Sequence, residues 1–440
     1  MAFRITTNEL IDGFFMEGND LAELKEVIEV TNSCTQFLKM KSGDINLLSM
    51  VGPAVRDIRD KDGKLVAGDA NVIETIYLSP MNLPTDAPDN TINSHMKVFR
   101  APETMHPLMD EWVNRTKLGI MYNERNGSQT FYYTSGSALQ TMDRFGLSGE
   151  FLLTPSLVRN LAVADSFKKD LGVTAIVRST SDGKAKKIFT ILSEKYTHIN
   201  QLVLFDIIKQ IEDAGEMGEC KCFKWEVSNF FTKLYVEFPK KAEELSGLYG
   251  LSREMIPGIM ITTSDTGDAS FAVKGTWRAK GSNSLIVNSE VKRKHIGDID
   301  IRKIIDDISK EIFAEYAKLP EALCELMAKD VTDPAWDLKT SAGIKANQTE
   351  IENTLKTVFK RLGIVKAIGK KTEKILRQAM MDEIDPSIRY TAYDMCMLIM
   401  SLPERVVFMD KGKDITLLQK ACGQAPFADY SVDATVVLTA

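Results

Sequence analysis

The chain is short of the residues that do most chemistry. Its four histidines are His95, His106, His198 and His295, and none stands in an HExxH or two-His-carboxylate spacing. A metal hydrolase therefore has no ligand set in the pattern. The six cysteines are Cys34, Cys220, Cys222, Cys324, Cys396 and Cys422. They form no CxxC pair, so a zinc ribbon has no support and reduced, buried thiols are expected. There is no Walker A loop, no GxGxxG and no GxSxG, which removes the motif basis for nucleotide-driven work and hydrolase-type acyl chemistry. No window of 18 apolar residues occurs, so no membrane span is expected. The opening residues carry no basic segment followed by an apolar one, and secretion is not expected either. No catalytic residue, metal ligand or cofactor is assigned.

What is present is a globular composition of 440 residues, 44% hydrophobic and 26% charged. That apolar content argues against large-scale disorder, and the length predicts two or three domains. Residues 1–160 read as a mixed α/β domain. It has a helix at Leu21–Val30, a hairpin about Asp60–Gly63, strands at Val72–Leu78 and Thr130–Thr134, and a long proline-containing arm near 79–107.

Residues 161–330 read as an antiparallel sheet plus helices. Turn residues at Ser181–Lys184 join Val173–Arg178 to Lys187–Leu192, and Asp265–Asp268 join Gly258–Thr263 to Ser270–Val273. Cys222–Val227, Leu234–Phe238 and Leu285–Val287 are further strands. Leu202–Ile211 has a helical apolar stripe, and Asp298 is the expected N-cap of the amphipathic stretch that follows. Residues 331–440 read as helical. Asn347–Glu350 has the pattern of a capping box for Ile351–Leu362, followed by helices at Lys370–Met381 and Arg389–Met400 and a strand at Ala434–Leu438. The fold class is α+β: a central antiparallel sheet with flanking helices, a mixed N-terminal domain and a helical C-terminal region.

The order of motifs after residue 160 resembles the phage/plasmid-like protein family, a domain family of unknown function carried by phages and plasmids. Tyr196–Asn200 followed by Leu204–Asp206 is similar to that family's "RY-x-P-I-x-N" entry to a helix, with Ile199 in place of its proline. Gly258–Phe271 resembles its strand, "S-x-D-G" turn, strand unit. Lys294–Gly297 and Tyr390–Tyr393 resemble its basic-His helix start and its "T-A-W/Y" late helix. Around Asn283–Leu285 the family pattern is poorly met, and residues 1–160 have no counterpart in it. The resemblance implies a mobile-element origin, the host cytoplasm or the virion as location, and no reaction.

Charge supplies the ligand class. The net charge of −6 hides two basic stretches. Between residues 274 and 295, Lys274, Arg278, Lys280, Lys292, Arg293 and Lys294 face one acid, Glu290, with Trp277 among the cations and His295 at the end. Such a surface neutralises phosphates, and an exposed indole stacks on an unpaired base. A solvated hairpin guarding a sheet edge, with Trp277 buried beneath it, is the alternative. From residue 345 to 377, nine cations stand against three acids, which leaves the rest of the chain at −12. Lys356, Lys360, Lys370, Lys371, Lys374 and Arg377 belong to this stretch, and Gly363 and Gly369 resemble the turn glycines of a helix-hairpin-helix; a solvated helix face is the plainer reading. The expectation is a non-enzymatic nucleic-acid-binding protein, with single-stranded DNA favoured, serving replication, annealing or recombination. The alternative is a protein acting by protein contact, as a self-assembling homo-oligomer or a binder of a host defence factor.

Overall fold

The computed structural model describes residues 2–6, 8–10, 14–42, 45–51, 74–77, 117–124, 127–133, 146–147, 166, 169, 171–183, 186–249, 254–266, 270–293, 300–409 and 415–432. The expected hairpin about Asp60–Gly63, the arm near 79–107, Asp298 and the Ala434–Leu438 strand lie outside the described residues, as do Lys294 and His295. The architecture is α+β, as the turn and periodicity signals predict.

Thirteen strands are described: β1 (Phe15–Gly18), β2 (Thr35–Lys41), β3 (Ile45–Val51), β4 (Glu74–Tyr77), β5 (Lys117–Glu124), β6 (Gly127–Tyr133), β7 (Gly172–Ser179), β8 (Lys186–Ser193), β9 (Lys221–Ser228), β10 (Thr232–Glu237), β11 (Met255–Thr263), β12 (Phe271–Ala279) and β13 (Leu285–Arg293). The helices are α1 (Leu21–Ser33), α2 (Val203–Ala214), α3 (Pro239–Tyr249), α4 (Ile301–Glu311), α5 (Lys318–Met327), α6 (Ser341–Arg361), α7 (Ile364–Ile368), α8 (Lys370–Glu383), α9 (Ala392–Met400), α10 (Leu402–Met409) and α11 (Thr416–Gly423).

The strands form two sheets. One has six antiparallel strands in the order β1-β9-β10-β11-β12-β13. The other has seven in the order β2-β7-β8-β6-β5-β3-β4, with β6 and β8 parallel and the remaining pairs antiparallel. Residue 160 does not divide the sheets. β1 belongs with β9, while β7 and β8 belong with the strands before residue 160. The chain passes from one sheet to the other through α1. Gly18 makes the exit close: a Cβ there would fall 2.4 Å from the Trp225 ring, whose Nε1 donates to the Asp20 carbonyl at 3.0 Å. Asp20 also caps α1, accepting from the Ala22 amide.

The six-stranded sheet turns one face to the core. Trp225, Leu234, Ile261, Val273, Trp277 and Ile286 are buried in one apolar cluster with Ile208 of α2, Ile308 of α4 and Leu355, Leu376 and Met395 of the C-terminal helices. The C-terminal helices therefore share the core of the sheet. α2 forms where Leu202, Phe205, Ile208 and Ile211 predict a helix, but its buried face is Val203, Leu204, Ile207, Ile208 and Ile211, with Leu202 and Phe205 only partly buried, because 3.6 residues per turn carries a three-residue step off the core; Gly215, at φ 72°, ends the helix in the left-handed conformation.

Two caps differ from expectation. Among the described residues the N-cap of α4 is Asp300, whose carboxylate accepts from the Lys303 amide. Asn347 caps nothing: α6 starts six residues earlier behind Thr340, and Asn347 lies buried mid-helix. Its amide donates to the carbonyls of Pro386 and Ile388 and its oxygen accepts from Thr332. Three long-range hydrogen bonds outweigh the local capping pattern.

Candidate nucleic-acid interface

The β12–β13 hairpin gathers the first basic stretch, and most of its charge is spent internally. Side chains alternate along β12, so Lys274, Thr276 and Arg278 point to one face and Val273, Gly275 and Trp277 to the core. Trp277 is 0% exposed and meets Tyr316 edge-on, ring centroids 5.4 Å apart. It is a core residue, not a platform for a stacked base.

Arg278 is fully engaged. Its Nε and Nη2 donate to the two oxygens of Glu237 at 2.5 and 2.9 Å, Nη1 donates to the Ser282 carbonyl at 2.7 Å, and the guanidinium lies 4.4 Å from the Phe223 ring centroid. Lys280 Nζ donates to Glu254 at 2.6 Å. Lys292 stands 3.3 Å from Glu290. Arg293 ends β13, and nothing further is described of its side chain.

Lys274 stands opposite Glu290 in the ladder, 3.6 Å from its Oε1, while Lys420 of α11 donates to Oε2 at 2.7 Å. Burial lowers the Lys274 pKa. Glu290 offsets part of this, and the neighbouring charges of Lys420, Lys233 and Lys292 deepen it. Burial acts to raise Glu290, but the hydrogen bond from Lys420 and the charge of Lys274 outweigh it and hold the carboxyl below its ordinary range. Lys420 was not in either basic stretch of the sequence. Only the packing of α11 against β13 brings it here.

The second basic stretch is arranged differently. α6 ends at Arg361, and Gly363 beyond it is left-handed at φ 69°; the short helix α7 follows, and Gly369 at φ 84° reverses the chain into α8. Lys356, Lys360, Lys366, Lys370, Lys371 and Lys374 are all exposed. None of the six makes an ion pair or side-chain hydrogen bond among the described residues. Arg377 differs, bridging Glu373 and Glu352 at 3.0 Å each.

The first amides of α8, as in any helix, have no intrahelical acceptor, and no side-chain cap supplies one among the described residues. Lysines fill the first two positions; the acid of the first turn, Glu373, is buried and paired with Arg377. The N-terminus of α8 and its lysines thus add fields of the same sign, an arrangement suited to an anion.

A third polar cluster lies where the sheets meet. Arg178 of β7 is buried, with Nη2 3.4 Å from Asp265 Oδ2, in the segment after β11. Gln201 Nε2 donates to the same oxygen at 2.5 Å, its Oε1 accepts from the Thr232 hydroxyl at 2.7 Å, and Tyr196 donates to the Asp265 carbonyl at 2.8 Å. His198 Nε2 lies 3.2 Å from Asp265 Oδ1 without hydrogen-bond alignment, its ring against Phe37. Among the described residues no group of three or more metal-ligating side chains converges.

No family model matches the chain, and no curated protein or solved structure does.

Proposed function

We propose that the protein is a phage- or plasmid-encoded, non-enzymatic binder of nucleic-acid backbones, and that it makes contact through α6–α8. The mobile-element origin rests on the motif resemblance. The observation that carries the binding reading is the exposed lysine set of α6, α7 and α8, which has no acidic partner among the described residues. Cations left uncompensated are available to neutralise phosphates, whereas those of the β12–β13 hairpin are mostly engaged by Glu237, Glu254 and Glu290.

The burial of Trp277 removes the stacking residue that favoured single strands. The contact is therefore with the phosphate backbone, and strand number is read out by the assay. Fluorescence anisotropy with labelled single- and double-stranded oligonucleotides should show binding at low salt that weakens steeply as salt rises. Lys370→Glu with Lys371→Glu should abolish it. Absence of binding to either substrate at low salt refutes the proposal.

A second reading, assembly through protein contact, is favoured by one surface. Phe408 is 88% exposed, and Val407, Met409 and Leu417 beside it on α10 and α11 are exposed as well. Light scattering on the eluting protein decides whether this surface joins copies: a strict monomer removes self-association.

A further inference from the structure

Lys274 is ion-paired with Glu290 but makes no side-chain hydrogen bond among the described residues. Its side chain is 10% exposed, its Nζ is 3.6 Å from Glu290, and no hydrogen bond joins the ammonium to any described residue. The nearer claim on Glu290 belongs to Lys420, at 2.7 Å. Cross-strand register explains why cations crowd this spot. Lys233, Thr262, Ala272 and Lys292 form one row across β10–β13. Tyr235, Met260, Lys274 and Glu290 form the adjoining row on the same face. Lys233 therefore flanks Lys274 on one side and Lys292 on the other, and α11 brings Lys420 across the top. One carboxylate, Glu290, thus faces Lys274, Lys292 and Lys420, and the mostly buried Lys274 ammonium, with no hydrogen bond among the described residues, can take a second acceptor of negative charge.

We propose that a phosphate-class anion binds between Lys274 and Lys420, on the face of the six-stranded sheet that carries Lys233 and Lys292, and competes there with Glu290 for the two ammoniums. The chemistry is that of a phosphate oxygen, supplied either by a nucleic-acid phosphodiester or by free phosphate. The site shares its ligand class with the function proposed above and none of its residues. α11 packs on both β13 and α7, so the site stands at the sheet end of the same helical region.

The test is a thermal melt of the full chain in sodium phosphate against sodium chloride at equal ionic strength. Phosphate should raise the midpoint of the unaltered protein beyond the chloride control, in the concentration-dependent way that binding to the folded state requires. Lys274→Met and Lys420→Met should each weaken the apparent phosphate affinity roughly ten-fold or more. Glu290→Gln removes the competing carboxylate and should strengthen it, a gain that damage to the fold does not produce. The proposal is overturned if phosphate acts no differently from chloride on both the unaltered protein and Glu290→Gln, or if Lys274→Met responds as the unaltered protein does. Anisotropy with an oligo-dT of about 30 nucleotides separates the sources. Weaker binding by Lys274→Met assigns a phosphodiester, and unchanged binding with a lost phosphate response assigns free phosphate. Replacing the α8 lysines leaves the phosphate response intact, so failure of the α6–α8 reading is seen separately.

Discussion

Asp265→Asn should uncouple the two sheets. Asp265 follows β11 of the six-stranded sheet, Arg178 lies on β7 of the seven-stranded one, and the side chains are 1% and 5% exposed. Burial lowers the Arg178 pKa, and the Asp265 charge and hydrogen bond raise it only part of the way back. At the observed 3.4 Å, an effective dielectric of about 20 gives an attraction of about 5 kcal/mol before desolvation. Removing one partner of a buried pair costs about 3–5 kcal/mol, because the other charge is left stranded. Asparagine keeps the shape of aspartate, so no cavity contributes and the loss is one of charge.

Urea unfolding followed by tryptophan fluorescence should therefore show Asp265→Asn about 3 kcal/mol less stable. Adding Arg178→Met removes the stranded cation, and the double variant should recover most of that loss. A non-additivity of about 2 kcal/mol or more is expected for residues in direct contact. An Asp265→Asn protein within about 1 kcal/mol of the original, or a double variant no more stable than the single, would show that the pair does not hold the sheets together.

Three further outcomes follow from the site. Replacing Lys370, Lys371 and Lys374 with glutamine should lower the steepness of the log–log salt dependence of oligonucleotide binding by about 2–3, while Lys280→Gln, already bound to Glu254, should leave it unchanged. Trp277→Ala should destabilise the fold by about 3–5 kcal/mol in urea unfolding while the affinity of the folded fraction for oligonucleotide stays the same. Glu290 has a folded-state pKa below its usual 4.5, so its stabilisation is complete above that pH and is lost as pH falls through the lower value. Urea midpoints measured between about pH 3 and 6 should fall more steeply for the unaltered protein than for Glu290→Gln.

The hairpins β7–β8 and β11–β12 were legible because turn residues sit between runs of strand-forming ones; α2 was legible as a helix, though of its expected stripe only Ile208 and Ile211 are buried. Trp277 was half legible. Its neighbours Lys274, Arg278 and Lys280 suggest a surface, yet alternation along β12 places it with Val273 in the core. Asn347 shows the converse: a local capping pattern was present, and partners in the Pro386–Ile388 loop overrode it. Lys420 and Arg178 were beyond reach. Glu290 is 130 residues from Lys420, Asp265 is 87 from Arg178, and no periodicity links positions so far apart. The distinction between engaged and free cations has the same origin, since it depends on which acids tertiary packing brings within 4 Å.

The pairing of β1 with β9 has a consequence for synthesis. Phe15 is matched to Ser228 and Gly18 to Trp225, so once β1 is made it has no partner until roughly 200 residues later. Gly18 and the Asp20 carbonyl likewise wait for the Trp225 indole. The strands of the seven-stranded sheet emerge within that interval. The nascent chain must thus carry β1 unpaired while the strands of the other sheet are made, and the six-stranded sheet can close only after β9 has followed them.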